Sequence, residues 1–182
     1  MTGSAARSLH WQPAGEGAGA GLVAPSVRAA LETWSGSIGV EVAPIDPDLS
    51  DTAEFCQTYG IELAESANCV VITGKREGVA RFAACVILAT TRADVNNVAR
   101  RLLDVRKASF APMDEAVERT GMEYGGITPI GLPADWPIFV AGQVAEAGPV
   151  VIGAGIRAAK IRLDGASLLQ LPNASLVTDL AR

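Results

Sequence analysis

A run of glycines closed by a proline, Gly125-Gly126-Ile127-Thr128-Pro129-Ile130-Gly131, offers the clearest chemistry in this sequence. Glycine admits backbone conformations that other residues avoid and leaves its amide N–H unobstructed, and Pro129 stiffens the exit. Such a loop can present N–H groups to a carbonyl or phosphate oxygen, an oxyanion-hole arrangement that needs no charged side chain. The same spacing also fits a plain structural turn. Other chemistries lack their residues. The one histidine, His10, falls in a Gly/Ala-rich leader, which leaves none for a Ser-His-Asp or Cys-His site in the segment expected to fold. Cys56, Cys69 and Cys85 make no CxxC pair and no zinc spacing. They lie in or beside apolar runs, read as buried small hydrophobes, and are odd in number, which argues against a disulfide framework. There is no GxxxxGK[ST] phosphate loop, and the acids are too scattered to nominate a carboxylate pair.

Val150-Val151-Ile152-Gly153-Ala154-Gly155-Ile156-Arg157-Ala158 imitates the strand and GxGxxA turn of a dinucleotide-binding unit. That unit needs a helix after the glycines and an acid about 20 residues on. Here Lys160 to Leu163 reads as a strand almost at once and Asp164 arrives too early, so Gly153 and Gly155 are expected to make a tight turn.

Thr120-Gly121-Met122-Glu123-Tyr124-Gly125-Gly126-Ile127-Thr128-Pro129-Ile130-Gly131 resembles the T-G-x-x-x-G-G-[IV]-[ST]-P-[IFV]-G signature of the YbaK/prolyl-tRNA synthetase associated domain family. Arg106-Lys107-Ala108-Ser109-Phe110-Ala111 is similar to the K-x-x-x-A segment upstream of it. Val151 to Arg157 is similar to the V-x-x-G-x-[GK]-x run that leads into the last strands. The resemblance extends over about residues 26 to 180. It implies an aminoacyl-tRNA deacylase acting in trans, with no cofactor, its partners being the acceptor end of aminoacyl-tRNA and in some cases an aminoacyl-tRNA synthetase. The stretch Gly125 to Pro129 would line the aminoacyl pocket, Gly125 and Gly126 presenting backbone donors and Ile127, Thr128 and Pro129 contacting substrate. Gly153, Gly155, Arg157 and Lys107 are further expected substrate-binding residues. Where the family carries a lysine before the first hairpin, in a [FV]-x-K-[TS]-L-like context, this chain has Glu65-Ser66-Ala67-Asn68-Cys69-Val70-Val71, with Asn68 in the lysine's place and expected at the catalytic position. An ammonium can hold a phosphate as a point charge, whereas Asn can only hydrogen-bond. Three outcomes are open: another cation substitutes, with Lys75, Lys107 and Arg157 as candidates; the substrates differ; or activity is lost, leaving a catalytically reduced binding module for aminoacyl-tRNA or a small aminoacyl-adenosine-like ligand.

Composition sets bounds on these readings. The 182 residues suit one domain, and 49% hydrophobic with 19% charged residues is ordinary for a globular protein. A net charge of −5 argues against non-specific wrapping of duplex nucleic acid, DNA included, so contact with RNA is expected to be small and local. The longest apolar run, Phe82 to Ala89, is too short to cross a bilayer, and Met1 to Arg7 lacks a signal peptide's apolar core, so a cytoplasmic location is expected.

The elements that must position the loop follow from periodicity. Residues 1–24 read as a flexible leader and 25–182 as the domain. Helices are predicted from Ser26 to Trp34, from Ser50 to Tyr59, from Asp94 with a Val95, Val98, Ala99, Leu102 stripe, and over Pro112–Thr120. Asn68–Thr73 and Phe82–Thr90 form a hairpin turning at Gly74 to Gly78; strands follow at Trp136–Val140, Pro149–Ile152 and Lys160–Leu163, and Leu176–Leu180 closes as a short helix. The fold class expected is α/β (mixed α+β), one largely antiparallel mixed sheet with helices around it.

Overall fold

The computed structural model describes residues 6–182. It departs from the expected leader at once: β1 (Gln12–Pro13) pairs antiparallel with Glu41 and Val42, while Ala14, Gly19, Val23 and Ala24 are buried. Small residues allow this close seating, since a Cβ on Gly19 would collide with the Pro13 carbonyl. The expectation of a flexible leader is therefore corrected for residues 6–24, while Met1 to Ala5 lie outside the described residues.

Helix α1 (Pro25–Thr33) begins with Pro at its first turn and buries Val27 and Leu31. Ser26, expected to cap it, lies inside the helix instead. After β2 (Glu41–Pro44), helix α2 (Thr52–Tyr59) ends on Gly60 in the left-handed conformation, as the sequence predicts. The central hairpin joins β3 (Ala67–Arg76) to β4 (Val79–Leu88) through ten facing pairs. Its turn is narrower than expected. Only Glu77 and Gly78 form it, both at positive φ (52° and 82°), the tight geometry that suits strand twist. Asp94 accepts a hydrogen bond from the Asn97 N–H, opening a wide π-turn that runs into α3 (Arg100–Leu102). The extra residue rotates the apolar stripe, so Leu103 is buried and Leu102 is not.

Then come β5 (Ala108–Phe110), α4 (Met113–Thr120) with Gly121 as its left-handed cap, β6 (Ile138–Ala141), α5 (Gly142–Glu146), β7 (Pro149–Gly153), β8 (Ala159–Asp164) and β9 (Ala174–Val177). The last is a strand where a short helix was expected, because Ala174 to Val177 lie in parallel register beside Ile138 to Ala141. The strands form two sheets rather than one. The first, β1-β2-β8-β7, is antiparallel throughout; the second, β5-β3-β4-β6-β9, is parallel only at β4–β6 and β6–β9. Among the described residues a single bridge, Ser66 to Val151, ties their edges together. Among the described residues no helix is long and apolar enough to cross a membrane.

Candidate active site

The seam between the two sheets opens into a cavity of about 490 Å³. Its walls are largely apolar, from Val70 and Val71 on β3, Met113 and Ala116 on α4, and Ile127 of the glycine loop. One corner is polar and comes from three elements: Ser50, Asp51 and Thr52 at the start of α2, Asn68 on β3, and Lys160 on β8.

The sequence-predicted residues divide between cavity and scaffold. Gly125, Ile127, Gly153 and Asn68 line the cavity. Gly125 stands at φ +82°, and its N–H has no acceptor among the described residues. Gly126 faces the other way. Its N–H donates to the Glu123 carbonyl at 2.9 Å, its carbonyl accepts from Gly155 at 2.7 Å, and a Cβ there would meet the Ile156 backbone at 2.6 Å. A side chain on Gly153 would strike the Gly126 carbonyl, and one on Gly155 would strike Ala24. The three glycines 126, 153 and 155 thus press the loop onto β7, leaving Gly125 on the cavity wall. Thr128 is fully buried with an unpartnered hydroxyl outside the cavity wall, and Pro129 lines a smaller cavity of about 280 Å³ beside Trp34.

Arg157 sits at the rim. Its Nη1 donates to the Tyr124 carbonyl at 3.2 Å and lies 3.8 Å from Asp51, while its backbone N–H donates to Glu123 Oε2 at 2.6 Å. It clasps the loop to the β7–β8 turn. Lys107 is exposed and lines no part of the cavity, and neither does Lys75, at the outer end of β3. Asn68 accepts a hydrogen bond from the Thr52 hydroxyl at 2.8 Å, which fixes its amide across the mouth of α2.

The cation inside the cavity is one that sequence reasoning missed. Lys160 is only 8% exposed; its Nζ donates to the Ser50 carbonyl at 2.9 Å and stands 5.0 Å from the Phe55 ring centroid. Removal from water lowers its pKa to about 8, with Cys56 and Asp51 pulling it back up and Arg157 pushing it further down. Lys160 faces Gly153 across the β7–β8 ladder, and a lysine opposite a glycine was the one signal that could have found it. Burial pushes the Cys56 and Cys69 thiols up, and the Cys85 thiol to about 12. None is a thiolate nucleophile at neutral pH, although Cys69 lines the cavity.

The chain is similar to known proteins in both sequence and fold. The profile described as "Aminoacyl-tRNA editing domain" matches residues 46–171, more than half of the chain. The chain belongs to that family. Among solved structures, it is similar to a candidate trans-editing enzyme for prolyl tRNA synthetase, at 25% identity and a TM-score of 0.71, over 87% of this chain and 98% of that one. A hypothetical protein shares the fold at 19% identity and a TM-score of 0.74, over 86% of this chain and 99% of that one. A scaffold used for computational epitope grafting does so at 22% identity and a TM-score of 0.72, over 86% and 96%. A search of curated proteins returns no match. In this editing-domain chain the glycine loop and the buried Lys160 ammonium of β8 line one cavity.

Proposed function

We propose that this editing-domain protein is a trans-acting deacylase. It hydrolyses the ester of a mischarged aminoacyl-tRNA and releases free amino acid and tRNA. The observation that carries this reading is that Gly125, whose N–H has no acceptor among the described residues, lines the same cavity as the Asn68–Thr52 pair and the Lys160 ammonium. Ester hydrolysis develops negative charge on the carbonyl oxygen, and prearranged donors stabilise it more than they do the ground state. Water adds to the carbonyl carbon, the bond to the ribose oxygen breaks, and the proton from water ends on that oxygen. The cavity offers neither histidine nor thiolate to take part. Asn68 orients the substrate, Ile127 and Gly153 shape the wall, and Arg157 holds the loop. A protein of net charge −5 need meet only the acceptor end, which suits work on charged tRNA in the cytoplasm, alone or beside a synthetase.

The test is a deacylation panel of tRNAs, each charged with the wrong amino acid and assayed against a blank for spontaneous hydrolysis. Turnover of one or a few members is the expected result. A protein that binds a non-hydrolysable aminoacyl-adenosine amide but turns over no member would make it a binding module instead.

A further inference from the structure

The corner that holds Lys160 has features that the glycine loop and Asn68 leave unexplained. The Ser50 side chain is 1% exposed, lines the cavity, and its hydroxyl has no hydrogen-bond partner. A buried hydroxyl without a partner costs on the order of 1–3 kcal/mol unless something binds there. The hydroxyl also lies 3.6 Å from where a side chain on Gly125 would begin, so it sits beside the glycine loop. Lys160 has three donors and makes one hydrogen bond among the described residues, to the Ser50 carbonyl. α2, an eight-residue helix that no side chain caps at its start, opens on the same cavity through Asp51 and Thr52. Buried cation, helix start and unpartnered hydroxyl line one corner of the cavity. Among the described residues the one acid lining this cavity is Asp51, which is shared with Arg157.

We infer that Lys160 and Ser50 form the oxyanion-binding corner of this cavity, with Lys160 supplying from β8 the positive charge that Asn68 cannot supply from β3. This rests on the deacylase reading and deepens it. The ligand class is an uncharged ester carbonyl that becomes an oxyanion, held between the Lys160 ammonium, the Ser50 hydroxyl and the Gly125 N–H. Lys160 stays protonated throughout; it neither donates its proton to the leaving ribose oxygen nor forms a bond to carbon. The groups that set its charge are Cys56 and Asp51 from α2 and its approach, and Arg157 from the β7–β8 turn.

Two measurements test this, one of them independent of turnover. In the first, the enzyme-dependent rate is followed from pH 6.5 to 9.5. The wild type should lose rate above pH 8, and Lys160→Arg should keep its rate to higher pH, because its guanidinium does not titrate there. Lys160→Met should lose roughly 10²–10³-fold in kcat with little change in KM. Equal pH profiles for wild type and Lys160→Arg, or a Lys160→Met protein that keeps its kcat, would overturn the proposal. In the second, wild-type lysines are labelled with formaldehyde and cyanoborohydride at pH 8 and each site is read by peptide mass spectrometry. A bound aminoacyl-adenosine amide should slow labelling of Lys160 while leaving Lys75 and Lys107 unchanged. If the amide binds and Lys160 labels at the same rate, the corner is elsewhere. If Lys160 is protected but no charged tRNA is hydrolysed, the corner stands and the deacylase reading falls. A protein that neither binds the amide nor hydrolyses any substrate overturns both.

Discussion

Replacing Lys160 by Met should make the protein more stable at neutral pH, although it removes a hydrogen bond. The lysine is buried, and its pKa drops from 10.5 to about 8 on folding. That drop corresponds to about 3 kcal/mol against the charged form in the folded state. Methionine has nearly the same length and no charge. Its introduction forfeits the bond to the Ser50 carbonyl, worth about 1–1.5 kcal/mol, and the contact with the Phe55 ring, worth about 0.5–1 kcal/mol. A net gain of about 1 kcal/mol is expected at pH 7, or about 2–4 °C in Tm for a chain of this size. The pH dependence isolates the cause. Between about pH 8 and 10.5 the unfolded chain still holds a proton that the folded one has released, so wild-type stability rises with pH over this window. The advantage of the Met variant should therefore shrink by about 1 kcal/mol between pH 7 and pH 9. The raised thiols of Cys69 and Cys85 act in the opposite direction at high pH, but equally in both proteins, and cancel in the difference; Cys56, which the Lys160 charge holds down, is pushed further up in the Met variant. Urea unfolding of both proteins at the two pH values measures it. A Met variant less stable than wild type at pH 7, or an advantage that does not change with pH, would refute the reasoning.

Gly125→Ala should fold with a loss of about 1 kcal/mol, since the atom its Cβ meets is the movable tip of Arg157, while deacylation drops roughly 10²–10³-fold. Gly126→Ala should be the more destabilised of the two in thermal melts, because its Cβ meets the Ile156 backbone, which cannot step aside. Deleting residues 1–24 should lower Tm by many degrees, as it removes buried Ala14, Val23 and Ala24 together with the Arg162–Trp11 stacking at 4.6 Å. Arg100→Glu with Arg101→Glu should weaken tRNA binding and flatten its salt dependence in a titration at several ionic strengths; these side chains precede β5, whose Phe110 lines the cavity.

What the sequence revealed depended on whether one period or one motif carried the information. The central hairpin and helices α1, α2 and α4 were legible because apolar spacing and the glycine stops at Gly60 and Gly121 agree with each other. The glycine loop was legible as a motif, but not the division of labour within it. Gly125 and Gly126 are neighbours with equal promise on paper, and only tertiary contacts with Ile156 and Gly155 turn one inward and the other away. Lys160 was hidden by correct alternation. Ile161 and Leu163 point to the core, and Lys160 and Arg162 to the other face, which reads as solvent. That face is instead covered, by α2 over Lys160 and by Trp11 over Arg162. The leader escaped notice for a similar reason. Its Gly and Ala residues carry no period, yet their smallness is what lets the backbone lie against β2.

The order of the strands decides how much open main chain the two sheets present. The two longest, β3 and β4, have ten residues each and lie inside their sheet, where both flanks are paired over at least part of their length. The strands left at the borders are short: two residues in β1, five in β7, three in β5 and four in β9. β1 ends in a proline, which has no N–H to offer, and β7 is bridged by Ser66. A neighbouring molecule therefore finds little exposed main chain on which to add a strand, a safeguard against edge-to-edge aggregation. Without β1, the open flank of β2 would become the longest unguarded template on the first sheet.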